Sequence, residues 1–282
     1  MIAISAESSI DLSKELLDKY NIFTLPFTIL MGDKTVFDGE VKNEDLFEFT
    51  KKTGKLPKTS AVNAAQFKSH FQKLKDAGYD QIIHFSLSSG ISSAYQNAVA
   101  ASKDFDNVTI IDTLSLSTGI ALLAILASSL VRDGKSFDEI VKTCNKKKKF
   151  IEASCLVDKA TYLHKGGRCS LLKMLGANLL QLKPCVYCNN ATGKLEAKQT
   201  VRGNLKKTAV DYIERTLKLY PNPNKELVFV TYTSITDEIL QIVKNKLIEE
   251  GFKNIIVTES GSTIACHCGP NCIGVLYMND GK

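Results

Sequence analysis

From residue 1 to about 150, short apolar runs alternate with longer segments whose apolar positions recur every three to four residues. That alternation of strand and helix periods builds a largely parallel sheet. The pattern predicts strands at 2–5, 80–87 and 107–112, with helices at 12–20, 63–77, 92–103 and 118–132. Asn63 with Gln66 has the spacing of an N-cap and its N3 partner, and Ser136 with Glu139 forms a capping box before another helix. The longest apolar run, 119–131, stops at Arg132. It is well short of the ~20 residues of a bilayer span, so it reads as a buried core helix and no stable membrane insertion is expected.

The lysine run 146–149 breaks the apolar pattern just before a strand-like stretch at 150–157. A domain boundary is placed there, giving domains 1–150 and 151–282. Four lysines at a helix end also suit the negative pole of the helix dipole. Further strands are predicted at 182–188, 194–200, 227–231, 254–258 and 272–278. The turn cluster from Asn189 to Gly193 joins the first two as an antiparallel hairpin, which makes the second sheet mixed. The expected fold is thus two α/β domains, the first with a largely parallel sheet flanked by helices.

Hydrophobic residues at 44% and charged residues at 23% fit a folded globular protein rather than a disordered chain. The start lacks a basic n-region, which points to the cytoplasm and to eight cysteines held as thiols rather than disulfides. A net charge of +6 and a pI near 8.7 favour anionic partners without calling for nucleic acid. There is no Trp and no basic-aromatic alternation of the RNA-binding kind.

The densest polar feature is the segment from Ser86 to Gln96, which holds Ser88, Ser89, Ser92 and Ser93 between a strand and a helix. In open α/β sheets ligands bind at such strand ends, and a helix N-terminus with small hydroxyls attracts an anion. Capping alone would need only one serine. Thr59-Ser60 forms a second hydroxyl pair in another strand-to-helix connection, where it reads as a turn or as a second contact to the same ligand. Of four histidines, His70 and His84 read as surface or core residues, while His267 falls in the Gly- and Pro-rich stretch 266–272, read as a loop. The same stretch with Cys185 and Cys188 has metal-site composition. On a strand, however, residues three apart point to opposite faces, so no metal is expected.

Gly90-Ile91-Ser92-Ser93-Ala94 stands one glycine short of a nucleophile elbow, and Asp112 and His267 follow in hydrolase order. A serine esterase or acyl hydrolase using Ser92 and His267 is therefore the alternative function. Basic groups cluster at Lys165-Gly166-Gly167-Arg168, Lys183, Lys198, Arg202-Gly203 and Lys206-Lys207, either as a solvated face or as a phosphate clamp. Neither GxxxxGK[ST] nor GxGxxG occurs, so nucleotide binding has no motif behind it.

Taken together, Pro57-Lys58-Thr59-Ser60, the segment Ser88 to Gln96, Lys165-Gly166-Gly167-Arg168, Leu182-Lys183-Pro184, Arg202-Gly203 and His267-Cys268-Gly269-Pro270 resemble the DegV family of bacterial lipid-binding proteins. The resemblance implies one long-chain fatty acid buried in an apolar tunnel, and no other cofactor. It further implies a non-enzymatic carrier: the binding subunit of a fatty-acid kinase, presenting the carboxylate to a separate ATP-binding kinase subunit that forms the acyl phosphate. By position, Thr59 and Ser92 become the main contacts to the carboxylate, with His267 near it, Ser60 and Ser88 beside them, and Arg168 and Arg202 on the phosphoryl-transfer face. The chain departs from the family pattern at Ser93-Ala94, where Gly-Thr is usual, and at Cys268, where Thr is usual.

Overall fold

The computed structural model describes residues 1–169 and 182–281. In chain order the elements are β1 (Ile2–Glu7), α1 (Lys14–Tyr20), β2 (Ile22–Leu25), β3 (Thr28–Met31), β4 (Lys34–Phe37), α2 (Asn43–Thr53), β5 (Lys58–Ser60), α3 (Ala64–Asp76), β6 (Gln81–Ser86), α4 (Ala94–Ser102), β7 (Val108–Asp112), α5 (Thr118–Arg132) and α6 (Phe137–Lys147). Then follow β8 (Ile151–Leu156), α7 (Thr161–Lys165), β9 (Leu182–Cys188), β10 (Leu195–Arg202), α8 (Leu205–Leu219), β11 (Val228–Thr233), α9 (Asp237–Glu249), β12 (Ile255–Glu259), α10 (Ser262–Cys268) and β13 (Cys272–Met278).

Three sheets result. The first is wholly parallel in the order β2-β1-β6-β7. The second is mixed, β10-β9-β8-β13-β11-β12, antiparallel except where β11 meets β12. The parallel first sheet, the mixed second sheet and the β9/β10 hairpin match the pattern read from the sequence. The third sheet, β4-β3-β5, is a small antiparallel unit inserted between β2 and α3.

Both capping boxes form: Asn63 with Gln66 starts α3, and Ser136 with Glu139 starts α6. The apolar run becomes α5, which packs against β1 and β6 of one sheet and β8 and β13 of the other. That double burial explains why it lacks a polar face. The core is continuous across it, joining Ile83 and Phe85 to Phe229 and Leu276. Among the described residues no helix is long and apolar enough to cross a membrane.

Two local expectations need correction. Thr59 and Ser60 lie on β5, paired with Ile29 and Thr28 of β3, rather than in a turn. His267 lies in the last turn of α10 and not in a loop, because the glycine and proline of its stretch follow the helix: Gly269 at the C-cap has φ +73° and ends it.

Candidate functional site

The segments that leave β6 and β7 at their carboxyl ends, the end of β5 and one face of α10 enclose a cavity. Thr59, Ser60, Ser92, Arg168 and His267 all line it. Thr59 Oγ1 lies 2.9 Å from His267 Nε2, joining β5 to α10. Ser92 Oγ accepts a hydrogen bond from the Ala94 N–H at 3.1 Å in a tight turn just ahead of α4 and keeps its own proton for another acceptor. Helix α4 accordingly begins at Ala94, two residues later than the sequence pattern implied.

Burial, and after it the Arg168 guanidinium, push the His267 imidazole down to about 4, so it is neutral at pH 7. Its Nδ1 is buried and makes no hydrogen bond among the described residues. Gly166 passes directly over the ring: a Cβ there would stand 2.8 Å from Nδ1, so only glycine permits this approach. Arg168, two residues on, donates to the Gly166 carbonyl at 2.6 Å and keeps an exposed guanidinium at the cavity mouth.

Ser88 is placed differently. It is fully buried, donates to the Gly193 carbonyl at 2.8 Å and accepts from the Gly90 N–H at 3.1 Å. It ties the β6–α4 segment to the β9–β10 turn and does not line the cavity. Arg202 is also outside it, exposed at the far end of β10 from the cavity-lining Leu195.

Beneath the serine segment, Glu7 is fully buried and accepts from Ser86 Oγ at 2.6 Å and from the Leu87 N–H at 2.9 Å. Burial opposes its ionisation, but His84 and these hydrogen bonds prevail and lower its pKa. Ser5 Oγ joins His84 Nδ1 at 3.0 Å to His70 Nε2 at 2.7 Å, so both histidines belong to the interior framework.

Thr263 was not legible as a site residue. It is buried, it lines the cavity from the first turn of α10, and its Oγ1 has no hydrogen-bond partner among the described residues. The signal is helical spacing: Thr263, Ile264, His267 and Cys268 fall at i, i+1, i+4 and i+5, which is one face.

The polar cavity adjoins a narrow apolar slot of about 40 Å³. Leu116, Leu163, Leu195, Ile264 and Cys268 line both. The hydrolase constellation is not assembled. Asp112 Oδ1 accepts from the backbone N–H groups of Ser89 at 3.2 Å and Leu114 at 3.1 Å, while His267 faces Thr59 and, among the described residues, has no carboxylate on its Nδ1. A triad base must be oriented by its acid. Cys185 and Cys188 pack into different cores, as strand alternation requires, and do not converge.

The molecule is therefore an α/β protein whose site pairs a hydroxyl-rich pocket with an apolar slot. The family model described as "Uncharacterised protein, DegV family" matches residues 1–280, and the chain belongs to that family. It is 29% identical over 279 residues to a Thermotoga maritima protein named "Fatty acid-binding protein", covering 97% of this chain and 96% of the relative. A solved T. maritima structure described as revealing fatty acid binding function is 27% identical with a TM-score of 0.83, covering 98% of this chain and 99% of that one. The Streptococcus pneumoniae Fatty Acid Kinase (Fak) B3 protein loaded with linoleic acid has a TM-score of 0.85 over 99% of this chain and 100% of its own, at 20% identity, which establishes a common fold.

Proposed function

We propose that the chain binds one long-chain fatty acid, with the carboxylate among Thr59, Ser60, Ser92 and His267 and the tail in the apolar slot. One observation carries this reading: a cluster of hydroxyls and a neutral imidazole opens, through five common lining residues, into a slot of apolar walls. Fatty-acid binding named for the T. maritima relatives supports it. Burying a methylene is worth about 0.8 kcal/mol, so a C16 tail would gain roughly 12 kcal/mol before ordering costs if the narrow slot widens to take its full length. An unpaired carboxylate would forfeit much of that gain. The Ser92 proton, Thr59 and Thr263 supply donors for it.

In this reading residues 1–150 form the domain that supplies Thr59, Ser60 and Ser92, and 151–282 form the domain that supplies Arg168, Thr263, His267 and most of the slot. The chain acts as a cytoplasmic carrier without catalysis of its own. A separate kinase subunit holds ATP and transfers phosphate to the presented carboxylate, as the sequence resemblance implies. Arg168 at the cavity mouth steadies the charge that develops in transfer, a role its exposed guanidinium fits. Arg202, set far along β10, is given no part in that step.

The test is acyl-phosphate formation from ATP with the chain alone and with the organism's own kinase subunit. Product is expected only with both proteins, and Arg168→Ala should lower its yield far more than it lowers fatty-acid affinity. Product from the isolated chain would overturn the carrier reading.

A further inference from the structure

Three cysteines lie together in the wall of the slot. The sulfur atoms of Cys155, Cys268 and Cys272 are all within 4.8 Å of one another, and none is in a disulfide. They come from three elements. Cys155 on β8 stands opposite Gly274 of β13, so no side chain occupies the facing position. Cys272, two residues from Gly274, is on the same face as the diagonal neighbour of Cys155. Cys268 ends α10 and is returned toward Cys272 by the turn 269–271.

That turn is fixed from both sides. Thr233 Oγ1 donates to the Gly269 carbonyl and accepts from the Cys272 N–H at 3.1 Å. A Cβ at Gly269 would lie 2.6 Å from the Tyr162 ring, and its φ of +73° also demands glycine. The cluster is thus built into the fold by constraints unrelated to the sulfurs themselves.

We propose that Cys155, Cys268 and Cys272 bind one thiophilic metal ion, monovalent copper, through three sulfurs. Metal–sulfur bonds of about 2.3 Å place coordinated sulfurs about 4 Å apart, a separation these side chains reach with small rotations. No histidine or carboxylate joins the group among the described residues. A closed zinc site takes four ligands, whereas an all-thiolate set of three suits the softer ion. Sulfur is also what this chain has at position 268, where the family pattern has threonine. The proposal does not depend on what the hydroxyl pocket binds.

The test is an anaerobic titration with monovalent copper, held reduced, against a chromophoric copper(I) chelator. It is run on the chain as purified and after lipid extraction. One equivalent is expected in at least one preparation, retained in Cys144→Ala. Affinity should fall more than about 100-fold in Cys155→Ala, Cys268→Ser and Cys272→Ser alike, beyond the ~10–100-fold cost of disturbing groups behind the ligands. Because coordination displaces thiol protons, affinity should rise with pH.

X-ray absorption on the wild-type complex needs no variant and should show a shell of three sulfurs. Absence of stoichiometric uptake in both preparations, uptake unchanged by the cysteine variants, or a shell of nitrogen and oxygen would overturn the site. Tighter binding of zinc than of copper would overturn the choice of metal.

Discussion

Thr59 and His267, 208 residues apart in sequence, meet with Oγ1 and Nε2 2.9 Å apart. The contact joins a strand of the small antiparallel sheet to the last turn of α10, and it sets the position of both side chains in the pocket. Each group retains further hydrogen-bonding capacity: Thr59 through its second lone pair or proton, and His267 through its neutral ring.

Removing the hydroxyls should therefore weaken carboxylate binding. A hydrogen bond to a charged partner contributes roughly 1.5–3 kcal/mol, so Thr59→Val and Ser92→Ala are each expected to lower fatty-acid affinity about tenfold or more. Ser92→Ala should also cost about 1 kcal/mol of stability, because it removes the hydrogen bond that Ser92 Oγ accepts from the Ala94 N–H. Titration calorimetry alongside thermal melts separates the two effects. Unchanged affinity in both variants would remove these residues from the site.

The imidazole offers a direct probe of the pocket. Because burial lowers the His267 pKa from 6.5 to about 4, the folded chain holds this proton less tightly than the unfolded chain. The stability gained from the neutral ring is full above about pH 6.5 and is lost as pH falls toward 4. An NMR titration of the free chain should give His267 a midpoint near 4, and a bound carboxylate beside it should raise that midpoint. A midpoint that ignores fatty acid would place the head group elsewhere.

Gly193 is predicted to be intolerant of any side chain. Its φ is +65°, and a Cβ would stand 1.9 Å from Ser88 Oγ. Gly193→Ala combines the left-handed penalty of about 1–2 kcal/mol with this collision, so a stability loss of about 2 kcal/mol or more is expected. Ser88→Gly should partly rescue it by opening the space. Equal stability of wild type and Gly193→Ala in denaturant melts would show that the two loops do not interlock in this way.

How far the sequence foretold these relationships depends on whether they are local. The capping boxes at Asn63 and Ser136, the β9–β10 hairpin and the buried helix α5 were legible because each is written in neighbouring residues. Sheet β4-β3-β5 was not, since its strands are only three or four residues long and give too little alternation to register. The helix α10 was hidden by the glycine and proline that follow it, so the face carrying Thr263 and His267 went unseen. Ser88 illustrates a different limit: four serines at a strand end imply a ligand loop, but only the fold shows which one turns inward to Gly193.

Glu152 on β8 provides a pH signature away from the pocket. Burial raises its pKa from 4.5 to about 7, opposed by a hydrogen bond from Asn190 and by Lys198. With a raised folded pKa, its contribution is fully present below the unfolded value of 4.5 and is lost as pH climbs through about 7. Glu152→Gln should flatten that decline and stabilise the chain at pH 8 by on the order of 1–2 kcal/mol, after discounting for solvent screening. Parallel stability profiles of variant and wild type between pH 5 and 8 would contradict this assignment.

The most direct measurement is equilibrium binding of C14 to C20 fatty acids to delipidated chain, with stoichiometry read by native mass spectrometry. One fatty acid per chain is predicted, displaced by no short-chain acid that reaches the hydroxyls but leaves the slot unfilled. Failure to bind any acid in that range, with the protein still folded, would contradict the account.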